Sequence, residues 1–251
     1  MRPLQINTEP GFWKGALREP EGVAGVERTC TRALIPVEIS FDWFWYCSPS
    51  INQDGNSCVG WGWAHWLTAM VRRYRDANAF AGGAQIDGQA VWQRGREMFW
   101  NGDMTGGLYL PQGFSALVDL GAIPPDSKLV EVNDDWDSVG LALRDTPLVQ
   151  GHDIDSGWFR ADPLNGCIGD AERPDGEEGS HCTLRIARLR QLAVQYYALA
   201  NSWGDGWGRY GYGLMTEVKN EASTMGPCYT ARLPAGWQAD DGWKRLLKAE
   251  T

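Results

Sequence analysis

The sequence predicts an α+β protein of two lobes, and three observations predict it. Helical periodicity dominates the first part of the chain, from about residue 58 to 144. After Pro147 the pattern changes to short strands. The two patterns are segregated rather than alternating, which argues for helices beside an antiparallel sheet instead of a βαβ fold. At 251 residues and 43% hydrophobic, the chain is long enough for two small lobes around a cleft.

The elements follow in order. Residues 1–34 have weak periodicity and several Gly, Pro and Glu, and are expected to form an extended N-terminal arm. Val37 to Phe41 alternates as a strand does and runs into an aromatic cluster ending at Tyr46. Asn52 to Ser57 is rich in turn formers. A helix is predicted from Cys58 to Asp76, with Val59, Trp63, Trp66, Leu67, Met70 and Tyr74 on one face. Gly60 and Gly62 in its first turn each cost about 1 kcal/mol relative to Ala, so a close backbone approach is expected there. Further helices are predicted over 87–100, with Asp87 as N-cap, over 111–120, and over 139–144. Strands are predicted at 148–150, 183–190, 193–200 and 211–218, and a short amphipathic helix at Trp237–Lys248.

Charge and cysteine usage exclude several classes. With 23 basic and 32 acidic residues the formal charge is −9, which argues against nucleic acid or an anionic membrane as the main partner. No run of 18 apolar residues exists, so no membrane span is expected. Met1 to Pro20 has no continuous apolar segment and does not read as a secretory leader. The six cysteines are irregularly spaced and form no CxxC pair. Reduced thiols in a cytoplasmic setting are therefore the expectation.

The chemistry converges on an ordered set: Gln53, Cys58, His181 and Asn201. Cys58 stands where a polar loop becomes a helix, and the positive end of a helix favours a thiolate. The alternative is a buried inert cysteine, the commonest fate of the residue. Three histidines are available as its base. His65 lies on the same helix, roughly 10 Å along the axis at seven residues' distance, too far to share a proton with Cys58. His152 reads as a loop residue at a strand end. His181 opens a strand and can be held rigidly while facing a cleft. A hairpin returning to Asn201 sets an amide oxygen beside the imidazole, fixing its tautomer and ring plane. Trp203 would roof that bond. Gln53, with the Cys58 backbone N–H, is suited to stabilise an oxyanion. A metal site built from His181, Cys182 and Cys167 is disfavoured, because no pair has zinc-ligand spacing, and no cofactor is expected.

The segment Asp42-Trp43, Asn52-Gln53 and Ser57-Cys58, with Gly106-Gly107 and Asn201-Ser202-Trp203-Gly204 followed by Gly206-Trp207-Gly208 and Gly211-Tyr212, resembles the papain-like cysteine protease family. The resemblance runs from about Pro36 to Val218. It implies a papain-like two-lobed fold over residues 35–234, with a helical lobe at about 50–140, a β-barrel-like lobe at about 145–234 and the cleft between them. Residues 235–251 would be a tail. It implies Cys58 as nucleophile, His181 as base, Asn201 as orienter and Gln53 as oxyanion donor, with Gly106, Gly107 and Trp203 lining the substrate cleft. In that family the glutamine stands six residues before the cysteine, a position held here by Asn52, so Asn52 competes with Gln53. The tryptophan that follows the family's nucleophile is Val59 here.

Two functions are consistent with these residues. One is a thiol endopeptidase acting on a polypeptide. The other is a catalytically dispensable scaffold of the same fold, docked into a phage particle or bacterial assembly through its aromatic surface and terminal extensions.

Overall fold

The computed structural model describes residues 38–47, 51–75, 79–80, 84–169, 179–191, 193–237 and 241–248. The predicted N-terminal arm, 1–34, lies outside them. Among the described residues six α-helices and nine strands follow in the order β1 (Glu38–Asp42), α1 (Cys58–Tyr74), β2 (Gln85–Ile86), α2 (Gly88–Trp100), α3 (Leu110–Asp119), β3 (Lys128–Val132), α4 (Trp136–Ala142), β4 (Leu148–Asp153), α5 (Ser156–Phe159), β5 (Ser180–Gln191), β6 (Val194–Ala200), β7 (Tyr212–Thr216), α6 (Glu217–Ser223), β8 (Cys228–Arg232) and β9 (Leu247–Lys248). The architecture is α+β, with α1, α2 and α3 packed beside one antiparallel sheet.

That sheet has the order β3-β8-β4-β5-β6-β7, with β1 added along the far half of β5. It is open, not closed, so the barrel-like description of this lobe needs correcting: no pairing joins β3 to β7 among the described residues. The long β5 is the organising strand. Its first half pairs with β4 and its second half with β1, while β6 runs along it from Leu184 to Gln191 through an irregularity between Arg185 and Ala187.

Helix α1 is where the two lobes meet. The sequence suggests a one-sided helix, yet every residue from Val59 to Val71 is buried. A helix buried all round must be covered on every face. The two early glycines show how. A Cβ at Gly60 would sit 2.2 Å from the Gly88 carbonyl oxygen, where α2 crosses. A Cβ at Gly62 would sit 2.7 Å from the Cys182 sulfur, where β5 passes. Backbones approach here as only glycine allows. Indole donors tie the layers together: Trp63 Nε1 donates to the Leu110 carbonyl (2.8 Å), and Trp66 Nε1 faces the hydroxyls of Thr146 and Thr230 (3.0 Å each).

Two further expectations change. The strand predicted to run through residue 218 stops at Thr216, whose hydroxyl accepts from the Lys219 N–H (3.1 Å) and starts α6 instead. Within the predicted C-terminal helix, residues 238–240 lie outside the described residues, and the rest holds a 3-10 helix over Gly242–Leu246 followed by β9, which pairs with β2 on the helical side.

Candidate active site

Cys58 is the first residue of α1. Ser57, just before it, is fully buried, and its hydroxyl donates to the Asp54 carbonyl (2.7 Å) rather than capping the helix. The first-turn N–H groups are thus left for the sulfur. The backbone N–H groups of Cys182, Val59 and Cys58 itself are aimed at it. The Cys182 contact matters most for the site, because Cys182 follows His181 directly on β5. The sulfur of one lobe and the strand start of the other are therefore in contact across the junction.

His181 opens β5, pairs in register with His152 on β4 and is buried. Its Nε2 lies 2.6 Å from Asn201 Oδ1. The same oxygen accepts from the Ser202 backbone N–H at 2.8 Å. An N–H donor on that atom fixes it as the amide oxygen, so Nε2 must carry the proton and donate. In the neutral ring the lone pair then sits on Nδ1. Trp203 lies over this arrangement, its ring 4.3 Å from the imidazole centroid, and the Trp158 edge meets the ring from another side at 6.5 Å.

Burial, rather than the helix terminus, dominates the electrostatics. It pushes the Cys58 thiol up, opposed by the three backbone N–H groups. It pushes the His181 imidazole down to about 4, opposed by the bond to Asn201. Both directions disfavour an ion pair between these two groups.

Gln53 is bound at both ends of its amide: Oε1 accepts from the Ser202 hydroxyl (2.6 Å) and Nε2 donates to the Gly55 carbonyl (2.8 Å). Its backbone N–H also donates to the Ser202 carbonyl (2.7 Å). One Nε2 hydrogen remains for another acceptor. Asn52 is exposed, its backbone bridging Trp203 and its side chain lying against Gly204. Across the loop, Asn56 Nδ2 donates to the Thr105 carbonyl (2.9 Å), which brings Gly106 and Gly107 alongside the residues that precede Cys58. The carbonyls of Gly106 and Gly107 accept from Trp92 Nε1 and Arg96 Nη1 at 3.1 and 2.9 Å.

The other two histidines are not hydrogen-bonded into this group. His65 is a core residue of α1. His152 is not a loop residue: β4 runs on to Asp153, and His152 is fully buried, its Nε2 3.1 Å from the Thr183 hydroxyl. Among the described residues no three His, Cys, Asp or Glu side chains converge as a cation would require. His181 and Cys182 alternate to opposite faces of β5, the first toward Asn201 and the second toward Gly62. The five cysteines of the described residues are free thiols.

Sequence reasoning missed Trp158 and Phe159, carried by α5. Four residues show no period, and the only hint is Asp155 before Ser156-Gly157, an N-cap whose carboxylate accepts from the Gly157 N–H (2.9 Å).

A helical lobe, an antiparallel sheet and a Cys-bearing helix start facing a His-bearing strand start together define the fold of the papain-like cysteine proteases. Solved structures of that class are similar to this chain. Xylellain, a cysteine protease from Xylella fastidiosa, matches with a TM-score of 0.60 at 16% identity over 80% of this chain and 87% of that one. Digestive procathepsin L 3 of Tenebrio molitor larval midgut matches at 0.58 with 15% identity over 89% and 76%. A structure from work on the mite allergens Blo t 1 and Der p 1 matches at 0.55 with 18% identity over 87% and 75%. No protein-family model matches the sequence, and no curated protein matches it.

Proposed function

We propose that the chain is a thiol peptidase that hydrolyses peptide bonds of a polypeptide substrate through an acyl-enzyme on Cys58. The observation that carries this is the double donation to Asn201 Oδ1, which leaves a lone pair on His181 Nδ1 next to the residue whose N–H reaches the Cys58 sulfur.

The steps follow from that assignment. As the sulfur attacks the peptide carbonyl carbon, its proton passes to His181 Nδ1, so the charges separate only during reaction. The carbonyl oxygen, now negative, accepts from the Cys58 N–H and the remaining Gln53 Nε2 hydrogen. The imidazolium returns the proton to the leaving nitrogen, the C–N bond breaks and a thioester remains. Water then attacks that carbonyl, His181 takes its proton, and the acid is released as the thiol is restored. Gly106, Gly107 and Trp203 flank the path a bound chain would take. The free thiols suit a reducing compartment such as the cytoplasm. Among the described residues no helix is long and apolar enough to cross a membrane.

Cys58→Ala is expected to abolish hydrolysis of a peptide substrate, whereas His65→Leu retains most of it. Brief iodoacetamide treatment should alkylate Cys58 ahead of the other cysteines, because His181 Nδ1 takes the thiol proton as the sulfur attacks, and His181→Ala should slow it. Uniform slow labelling, with no hydrolysis, would instead favour a scaffold role. One observation favours that second reading: Phe99, Trp100, Met104 and Tyr109 are exposed together near α2, a surface suited to docking in a larger assembly such as a virion.

A further inference from the structure

Cys58 and Gly62 stand one turn apart on the same face of α1. β5 crosses that face. The Cys58 sulfur accepts from the Cys182 backbone N–H, and a Cβ at Gly62 would lie 2.7 Å from the Cys182 sulfur. Gly62 therefore gives up its side chain where a second thiol packs beside the first. Cys182 Sγ is three bonds from the nitrogen that the Cys58 sulfur already touches, so rotation about χ1 is the main freedom left to bring sulfur to sulfur. A strand crossing over a glycine allows the short Cα separation, roughly 4.4–6.8 Å, at which a disulfide closes.

The two thiols differ in access. Cys58 is half-buried at the helix start, whereas Cys182 is 2% exposed. Burial, with Cys58 acting in the same direction, holds the Cys182 thiol well above its ordinary value. A soluble oxidant thus meets Cys58 first, and Cys182 reacts only with a sulfur already at its side. We infer that Cys182 is a resolving thiol, which captures peroxide-oxidised Cys58 as a Cys58–Cys182 disulfide and so closes the site reversibly. That the closed site is a hydrolytic one rests on the reading above. In the first step the Cys58 sulfur attacks a peroxide oxygen, the O–O bond breaks, and a sulfenic acid and water result. The Cys182 sulfur then attacks the sulfenic sulfur, the S–O bond breaks, and hydroxide leaves with the Cys182 proton as a second water. Both thiols are oxidised and one peroxide is reduced. A thiol reductant reverses the bridge. Without a resolving neighbour the sulfenic acid goes on to sulfinic acid, which such a reductant does not restore.

The test exposes the full chain to hydrogen peroxide, stops the reaction with catalase, alkylates the remaining thiols in denaturant and maps the peptides by mass. A joined pair of peptides carrying Cys58 and Cys182 is expected, and it should be absent from Cys182→Ala, which keeps the backbone N–H. Hydrolysis of a peptide substrate is followed in parallel, each protein being compared with its own untreated sample so that differences in folded fraction cancel. Dithiothreitol should restore most of the lost hydrolysis to the unaltered chain and less than about a tenth of it to Cys182→Ala, whose Cys58 carries sulfinic acid. Sulfinic acid on Cys58 of the unaltered chain with no joined pair, or equal recovery in the two proteins, overturns this inference. A Cys58–Cys182 bridge in a chain whose reduced form hydrolyses no peptide sustains the resolving role and overturns the hydrolytic reading instead.

Discussion

Two N–H donors converge on one oxygen at Asn201, and that convergence sets the proton inventory of the site. The Ser202 backbone holds the amide in place, and the amide holds His181 Nε2–H. Removing the amide with Asn201→Ala frees the ring to rotate and exposes both nitrogens to either tautomer. A fall in kcat of up to about a hundredfold is expected, since misplacement of one reacting group by about an ångström costs that much. The pH profile gives a second readout. Burial holds His181 at about 4, while the Asn201 bond works in the opposite direction. Activity of the unaltered chain should therefore be lost as pH falls through about 4, where the ring gains a proton and can no longer accept one. Without Asn201 that acid limb moves to lower pH. A limb near the ordinary histidine value would mean that the ring is not the buried group seen here. The asparagine motif was legible in the sequence because its parts are contiguous. The hold on the Gln53 side chain was not, since it comes from the Ser202 hydroxyl, 149 residues away.

At the scale of elements, α5 is the smallest piece that the site depends on. It is only four residues long, below any length at which helical propensity would sustain it. Its stability comes from Asp155, which caps it through Oδ1 and accepts from Lys219 Nζ of α6 through Oδ2. Both partners are nearly excluded from solvent, with side-chain exposures of 8% and 6%. Asp155→Ala removes the cap and strands a buried ammonium, a loss expected at about 3–5 kcal/mol in urea unfolding. Asp155→Asn keeps the cap acceptor but not the charge, and should fall between the two. Equal stability of all three proteins would show that the pair does not secure α5. The same logic explains which elements the sequence concealed. The periodic helices α1, α2 and α3 were visible because repetition is local. The end of β4 at Gly151-His152-Asp153 was not, because it is held by pairing with Ser180–Cys182 on β5. The turn into α6 likewise depended on one capping hydroxyl, and the β2–β9 pair on residues about 160 positions apart.

At the scale of the whole molecule, all three histidines of the chain are buried, at 3%, 0% and 5% exposure for His65, His152 and His181. Burial takes His65 down to about 4, with the Arg72 charge acting in the same direction. Burial also takes His152 well below its ordinary range, reinforced by Arg185 and His181 and opposed by Asp134. His181 completes the set at about 4. In the unfolded chain each imidazole takes a proton near pH 6.5, whereas in the folded chain each stays neutral well below that. The unfolded state therefore binds more protons across this window, and stability must fall as pH falls from about 6.5 toward 4. His65 and His181 each account for a loss on the order of 3 kcal/mol by pH 4, and His152 adds to it. The 14 tryptophans make intrinsic fluorescence a direct probe of unfolding. The urea midpoint should drop steeply between pH 6.5 and pH 4.5, with uptake of about three protons per molecule on unfolding near pH 5. His65→Leu should take that uptake from about three to about two and leave the remaining slope to His152 and His181. If the midpoint stays level across that window, the imidazoles are charged or solvated in the folded chain. In that case His181 is not the neutral acceptor that the Asn201 bond requires.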